Sequence, residues 1–306
     1  MTVRAVCGAR RRLDARAALV AVALVVVAAG CIPAAGTQPI SSPPEAQGCI
    51  TDVGPTVKMV VTDCGGGITY NVSVPERCLT HACGLIVDVH GWTMTGDIQE
   101  ANTGIAAIGR DEGYVVIQPN APGSPPSWSS THYPLVAAFV EDAIDVWRID
   151  QRRVHITGFS QGGAMTFWMR CNRPDLFVSA APTALSGSSC ANGVNMPTLY
   201  LQGNDDIFVS EQAIASTIAS FRTRHGLTEE LVVTSTADYT WTIYRSPDPT
   251  VPQFTAIIHN YSANGVQGHC VMGSVTPTSP YGCDQPAPAG HGRVVVDFFK
   301  NHPGQS

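Results

Sequence analysis

The chain is short of lysine. Of its 306 residues only Lys58 and Lys300 are lysines, and the formal net charge is −6. Without a basic stripe to follow a phosphate backbone, nucleic-acid binding is not expected. No apolar run is long enough for a comfortable membrane helix; the stretch from Ala17 to Ala29 falls short. No C-x-x-C or H-x-x-x-H spacing occurs, so a zinc site is not indicated, and nothing calls for another metal or an organic cofactor. There is no internal repeat and no composition break that would mark a second domain. Disorder is also excluded, because 44% of the residues are apolar.

What is present begins with an export signature. Arg10 to Arg12 precede the apolar run Ala17 to Ala29, which ends in small residues, as in the n- and h-regions of a signal over residues 1–30. Val27-Ala-Ala-Gly-Cys31 resembles a bacterial lipobox with Ala28 where Leu is usual, so Cys31 is a candidate lipidation site. Ordinary secretory cleavage is the alternative. The protein is thus expected to be secreted, or tethered to a membrane by an N-terminal lipid without spanning it. Removing residues 1–30 takes away five arginines and one aspartate and moves the net charge to about −10. Residues 31–47, with Pro33, Pro39, Pro43 and Pro44, read as a tether, and 48–306 as one catalytic domain.

Beyond the leader lie Cys49, Cys64, Cys78, Cys83, Cys171, Cys190, Cys270 and Cys283. An even number in an exported chain implies disulfides. Eight cysteines allow 105 connectivities. The expectation adopted is the near-neighbour set 49–64, 78–83, 171–190 and 270–283.

Strand-like and helix-like segments then alternate. A hairpin over 57–61 and 68–74 opens the sheet, and Gly84 to His90 is a buried strand. A helix is expected from about Ile98 to Asp111, and a strand over Tyr114 to Gln118. Further helices are read at 136–147 and 211–224, the latter capped by Ser210, and a closing helix at 294–300. This alternation implies an α/β protein, with a mostly parallel central sheet covered by helices on both faces.

The chemistry centres on Val154 to Gly163. A short apolar strand leads into Gly158-Phe-Ser160-Gln-Gly162, which fits G-x-S-x-G, and a helix follows. Strand, tight turn and helix in that order are the context of a nucleophile elbow in an α/β-hydrolase fold. A serine hydroxyl needs a base, and the base needs an orienting carboxylate. In this fold the chain order is Ser, acid, His. The acid is expected in the loop after Thr198 to Gln202, where Asp206 is favoured over Asp205. The base is expected between the last strand and the last helix, where His269 is favoured over His291. The oxyanion donors are expected to be the backbone N–H groups of Gln161 and Trp92. His90 is read as a loop support, and His259 as structural.

Several segments together resemble one family. They are His90-Gly-Trp92, Gln118-Pro-Asn120 with Trp128 downstream, Asp150 through Met165, Pro174-Asp-Leu-Phe177, and the Gly203-Asn-Asp-Asp206 loop. The family is that of secreted serine esterases containing poly(3-hydroxybutyrate) depolymerases, feruloyl esterases and acetylxylan esterases. The resemblance runs from about Gly84 to His269 and implies nucleophile Ser160, acid Asp206 and base His269. Around the base this chain has Gly-His269-Cys-Val-Met, where the family often has Gly-His-x-Trp-Pro. The implied partner is an ester: a hydroxyalkanoate polyester or its oligomers first, a feruloyl or acetyl sugar ester as the alternative. Trp128 and Tyr133 are candidate substrate-binding residues. A non-catalytic binding protein on a hydrolase scaffold is the competing reading of another class.

Overall fold

The computed structural model describes residues 38–276 and 281–304. The export segment and Cys31 lie outside these residues. Ten strands form a single sheet: β1 (Thr56–Val61), β2 (Thr69–Val74), β3 (Gly84–Val89), β4 (Tyr114–Asn120), β5 (Val154–Phe159), β6 (Ser179–Thr183), β7 (Thr198–Gly203), β8 (Glu229–Ser235), β9 (Tyr239–Arg245) and β10 (Phe254–His259). Their order is β1-β2-β4-β3-β5-β6-β7-β10-β9-β8. The central six, from β4 to β10, pair in parallel, and the hairpins at both margins add antiparallel strands.

Helices α1 (Gly96–Thr103), α2 (Ile105–Asp111), α3 (Tyr133–Val146), α4 (Gln161–Asn172), α5 (Glu211–His225) and α6 (His291–Asn301) connect and close the sheet. The central strands are buried almost throughout because both of their faces are covered. Alternate residues divide between two cores. Leu85, Val87 and Val89 of β3 and Val115 and Ile117 of β4 pack with residues of α3 and α4. Ile86, Tyr114 and Val116 pack instead with Ile105 of α2 and Val294 to Phe299 of α6. This two-residue alternation is the pleat of the strand. Edge strand β8 is different, with Leu231, Val232 and Val233 about half exposed.

Several boundaries differ from the sequence reading, among them α3, which starts three residues early at Tyr133. The helix expected over 98–111 is two helices, broken at Gly104, whose φ of 63° is left-handed. The Glu100 carboxylate explains the restart, accepting the N–H groups of Ala106 (2.8 Å) and Ala107 (3.1 Å) at the start of α2. The described part of the expected tether runs along the domain. Its backbone bonds pair Gln38 with Ala82, Ile40 with Thr80 and Glu45 with Val146. The closing helix begins three residues early, at His291, which is 2% exposed and so is neither a surface nor a capping residue.

The disulfides are Cys49–Cys64, Cys78–Cys83, Cys171–Cys190 and Cys270–Cys283. Four disulfides place the chain in an oxidising, extracytoplasmic compartment.

Candidate active site

The site is assembled at the C-terminal ends of the parallel strands, where an open α/β sheet offers its loops. Strand β5 ends at Phe159, and Ser160 caps α4 with φ 53° and ψ −114°. A serine in that region is strained and must be held. Its N–H donates to Thr183 O at 2.9 Å, and its carbonyl accepts from Ala164 N–H at 3.0 Å. The glycines of the motif act through close approach. A Cβ on Gly158 would lie 2.5 Å from the Gly162 carbonyl, and one on Gly162 would lie 2.0 Å from Val89 O. Strand, turn and helix therefore touch backbone to backbone, and the serine stands at the apex.

Strand β7 ends at Gly203, and the loop behind it carries Asp206. One carboxylate oxygen accepts His269 Nδ1–H at 2.8 Å and Gln202 Nε2–H at 2.8 Å. The other accepts the N–H groups of Phe208 (2.7 Å) and Val209 (3.0 Å). Burial by itself would raise the Asp206 pKa. The bonds from His269, Phe208 and Gln202 outweigh it and hold the carboxyl below its ordinary value. Asp205, the alternative acid, is exposed, and only its carbonyl joins the site by accepting Gly268 N–H at 3.0 Å.

His269 is 4% exposed. Its Nε2 lies 3.0 Å from Ser160 Oγ. With the Nδ1 proton directed at Asp206, Nε2 is left as an acceptor for the serine hydroxyl. Contact between the acid and base loops again depends on a missing side chain, since a Cβ on Gly203 would sit 2.1 Å from Gly268 O. The Phe159 and Phe208 rings pack on the imidazole at 5.0 and 4.7 Å.

Beside the serine runs the segment after β3. A Cβ on Gly91 would lie 3.3 Å from Ser160 Cβ, so the Gly91–Trp92 backbone passes directly by the nucleophile. His90 holds this segment from behind. Its Nε2 accepts Ala121 N–H at 3.0 Å, which leaves Nδ1–H to donate to Gly91 O at 2.6 Å. Burial lowers its pKa to about 4, so the ring stays neutral and this proton arrangement persists. Gln161 is the first residue of α4, and its backbone N–H belongs to the set that a helix leaves without an internal acceptor.

Trp128 and Tyr133, the candidate substrate-binding residues, differ in their surroundings. Trp128 is 6% exposed, donates Nε1–H to His90 O at 3.0 Å, and donates its backbone N–H to Gln161 Oε1 at 2.9 Å. It is a strut between the two segments that carry the expected oxyanion donors. Tyr133 packs against Trp168 at 5.6 Å on the α3–α4 side of the core. The Trp128 ring is enclosed by this packing, whereas Tyr133 remains partly exposed. The sequence reading also passed over Gln202, whose only local signal is its place at the end of β7, two residues before the loop that bears the acid.

No protein-family model matches the chain. Over 143 residues it is 31% identical to acetylxylan esterase A of Aspergillus ficuum, covering 42% of this chain and 46% of that protein. Over 242 residues it is 25% identical to poly(3-hydroxyalkanoate) depolymerase C of Paucimonas lemoignei, covering 64% of this chain and 56% of that one. The chain thus spans about half the length of these curated relatives. Among solved structures, acetyl xylan esterase from Aspergillus awamori superposes with a TM-score of 0.57 at 20% identity, over 79% of this chain and 98% of that one. The fold is that of the α/β-hydrolases. Within that class the protein is a relative of acetylxylan esterases and of a poly(3-hydroxyalkanoate) depolymerase.

Proposed function

We propose that the protein is an exported carboxylic ester hydrolase that works through an acyl-enzyme. The observation that carries this reading is the relay from Ser160 Oγ to His269 Nε2 (3.0 Å) and from His269 Nδ1 to Asp206 (2.8 Å), set on a nucleophile elbow. Ser160 Oγ attacks the ester carbonyl while His269 takes its proton. The tetrahedral oxyanion is received by the N–H groups of Gln161 and Trp92. His269 then gives its proton to the leaving alcohol, leaving the acyl group on Ser160. In the second half His269 deprotonates a water, which attacks the acyl carbonyl, and the proton returns to Ser160 as the acid departs. Asp206 holds the Nδ1–H tautomer and stabilises the imidazolium formed in each half.

For the substrate, a hydroxyalkanoate ester is the first reading. Three apolar side chains beside the site face solvent: Trp92, Ile207 and Phe208 are 53%, 49% and 69% exposed. A surface of that kind suits an aliphatic ester chain better than a polyol, because apart from the Trp92 Nε1–H these side chains offer no hydrogen bonds to hydroxyl groups. The acetylated-sugar reading draws on the 31% identity to an acetylxylan esterase. At the N-terminus we infer release into the medium or a lipid tether at Cys31.

Hydrolysis of p-nitrophenyl acetate, hydroxybutyrate oligomers and acetylated xylan by the purified protein tests these readings. Ser160→Ala is expected to reduce every turnover it supports by at least about 10⁴-fold. Retention of turnover in that variant would overturn the assignment. Acetate release from xylan with no action on hydroxybutyrate oligomers would transfer the substrate to the sugar-ester class.

A further inference from the structure

Among the non-glycine residues with positive φ at this site are Ser160, Thr93 (φ 64°) and Tyr281 (φ 69°). A β-branched or aromatic residue is held in that region only by its surroundings. Thr93 and Tyr281 lie 188 positions apart, yet their hydroxyls share a hydrogen bond of 3.0 Å.

Each belongs to a different part of the site. Thr93 follows Trp92, whose amide is an oxyanion donor in the mechanism above. Its own N–H donates to Pro126 O at 2.9 Å. The Tyr281 carbonyl accepts Val271 N–H at 2.7 Å, and Cys283 N–H donates to Val271 O at 3.1 Å. Cys283 is also joined to Cys270, the residue next to His269. The Tyr281 ring packs against the small cluster of Met94, Phe159, Ala184 and Val271, with its centroid 5.8 Å from that of Phe159. Phe159 in turn precedes Ser160.

We propose that Tyr281 is a positioning residue that sets the oxyanion donor and the base together. Its hydroxyl fixes Thr93 and so aims the Trp92 amide, while its backbone and the adjoining disulfide hold the segment that follows His269. The role rests on the esterase reading of Ser160, His269 and Asp206. The geometry is specific to the hydroxyl: removing it leaves the ring in its cluster and the backbone bonds intact, and frees Thr93 alone.

The test uses the full oxidised protein and the variants Tyr281→Phe, Thr93→Val, their combination, and Thr93→Ser. Rates are measured with p-nitrophenyl acetate. Affinity is measured for phenylboronic acid, which adds to an active serine to give a tetrahedral adduct. Each of Tyr281→Phe and Thr93→Val is expected to lower kcat about tenfold with KM within about twofold, since a small misplacement of an aligned group is felt in the transition state. The boronate should weaken by a similar factor. The double variant should lose no more than either single one, because both remove the same bond. Thr93→Ser keeps a hydroxyl and should retain the rate.

A Tyr281→Phe enzyme with wild-type kcat and only a lowered melting temperature would overturn the role, leaving a bond that merely stabilises the fold. Losses that multiply in the double variant would overturn it too. Should Thr93→Val fail to fold, the rate and boronate affinity of Tyr281→Phe decide alone. A wild-type protein inert toward p-nitrophenyl acetate and the other esters would remove the triad reading itself; an active one with an indifferent Tyr281→Phe removes only this role.

Discussion

The nucleophile elbow and the base loop reach the same rigidity by opposite routes. Around Ser160 most of the support is local: a fully buried strand, a turn and a helix lie within residues 154–172, with Val89 and Thr183 of the flanking strands touching the turn from outside. Around His269 almost every support comes from elsewhere. Asp206 and Phe208 arrive from the β7 loop, Phe159 from β5, and Tyr281 and Cys283 from further along the chain. The serine is held largely by its neighbours in sequence, the histidine largely by its neighbours in space. Chemistry is shared between the two halves, but the ways of damaging them differ.

The sharpest separation comes from Asp206→Asn. An amide there would present an N–H to Nδ1 and turn the imidazole to the wrong tautomer, with a loss of about 10³- to 10⁴-fold in kcat. The elbow does not depend on this carboxylate, so circular dichroism should show an unchanged fold. A rate within tenfold of wild type would detach the acid from the site.

Replacing Cys270 and Cys283 together by Ser comes next. These cysteines close a loop of sequence separation 13, and its release should reduce stability by about 3 kcal/mol. Turnover should fall in the folded fraction as well, because the segment after His269 is loosened. If denaturant unfolding showed lost stability with kcat unchanged, the disulfide would serve the fold alone.

A smaller effect concerns the floor beneath both halves. Asp88 is fully buried in β3, and burial raises its pKa to about 6 despite hydrogen bonds from Gln118, Gln99 and Thr103. The folded protein then holds this proton more tightly than the unfolded chain, whose carboxyl titrates near 3.8. Stability from this residue is therefore full below about pH 4 and lost as pH rises to about 6 and beyond, by up to about 3 kcal/mol. Asp88→Asn should flatten that part of the stability curve measured by urea unfolding. An unchanged slope between pH 4 and 6.5 would contradict the burial argument.

The same contrast explains what could be read in the sequence. The elbow was legible because its requirements are contiguous: an apolar run, small residues at fixed spacing, and a helix. The sheet was legible for the same reason, each central strand being a short apolar run between turn residues. Near-neighbour cysteine pairing matches the structure because the bridges close short loops. The role of Trp128 was not legible. An aromatic in a Pro- and Ser-rich loop looks like a substrate subsite, and only the bond from its Nε1–H to His90 O shows it to be a strut. Tyr133 is only half-buried and packs against Trp168, a contact the sequence does not signal. Helix 98–111 was misjudged because Gly104 and the reach of the Glu100 carboxylate act together, and apolar periodicity carries neither. Tyr281 gave no signal at all, since its partner Thr93 lies 188 positions away.

The central claim is that Ser160 carries the acyl group. Rapid acid quench of the protein with p-nitrophenyl acetate, followed by peptide mass spectrometry, tests it directly. The account predicts an acetyl group on the peptide containing Ser160, absent in Ser160→Ala and formed far more slowly when His269 is replaced by a residue that cannot take the serine proton. An acetyl group found on another residue, or turnover with no acylated peptide at any quench time, would contradict it.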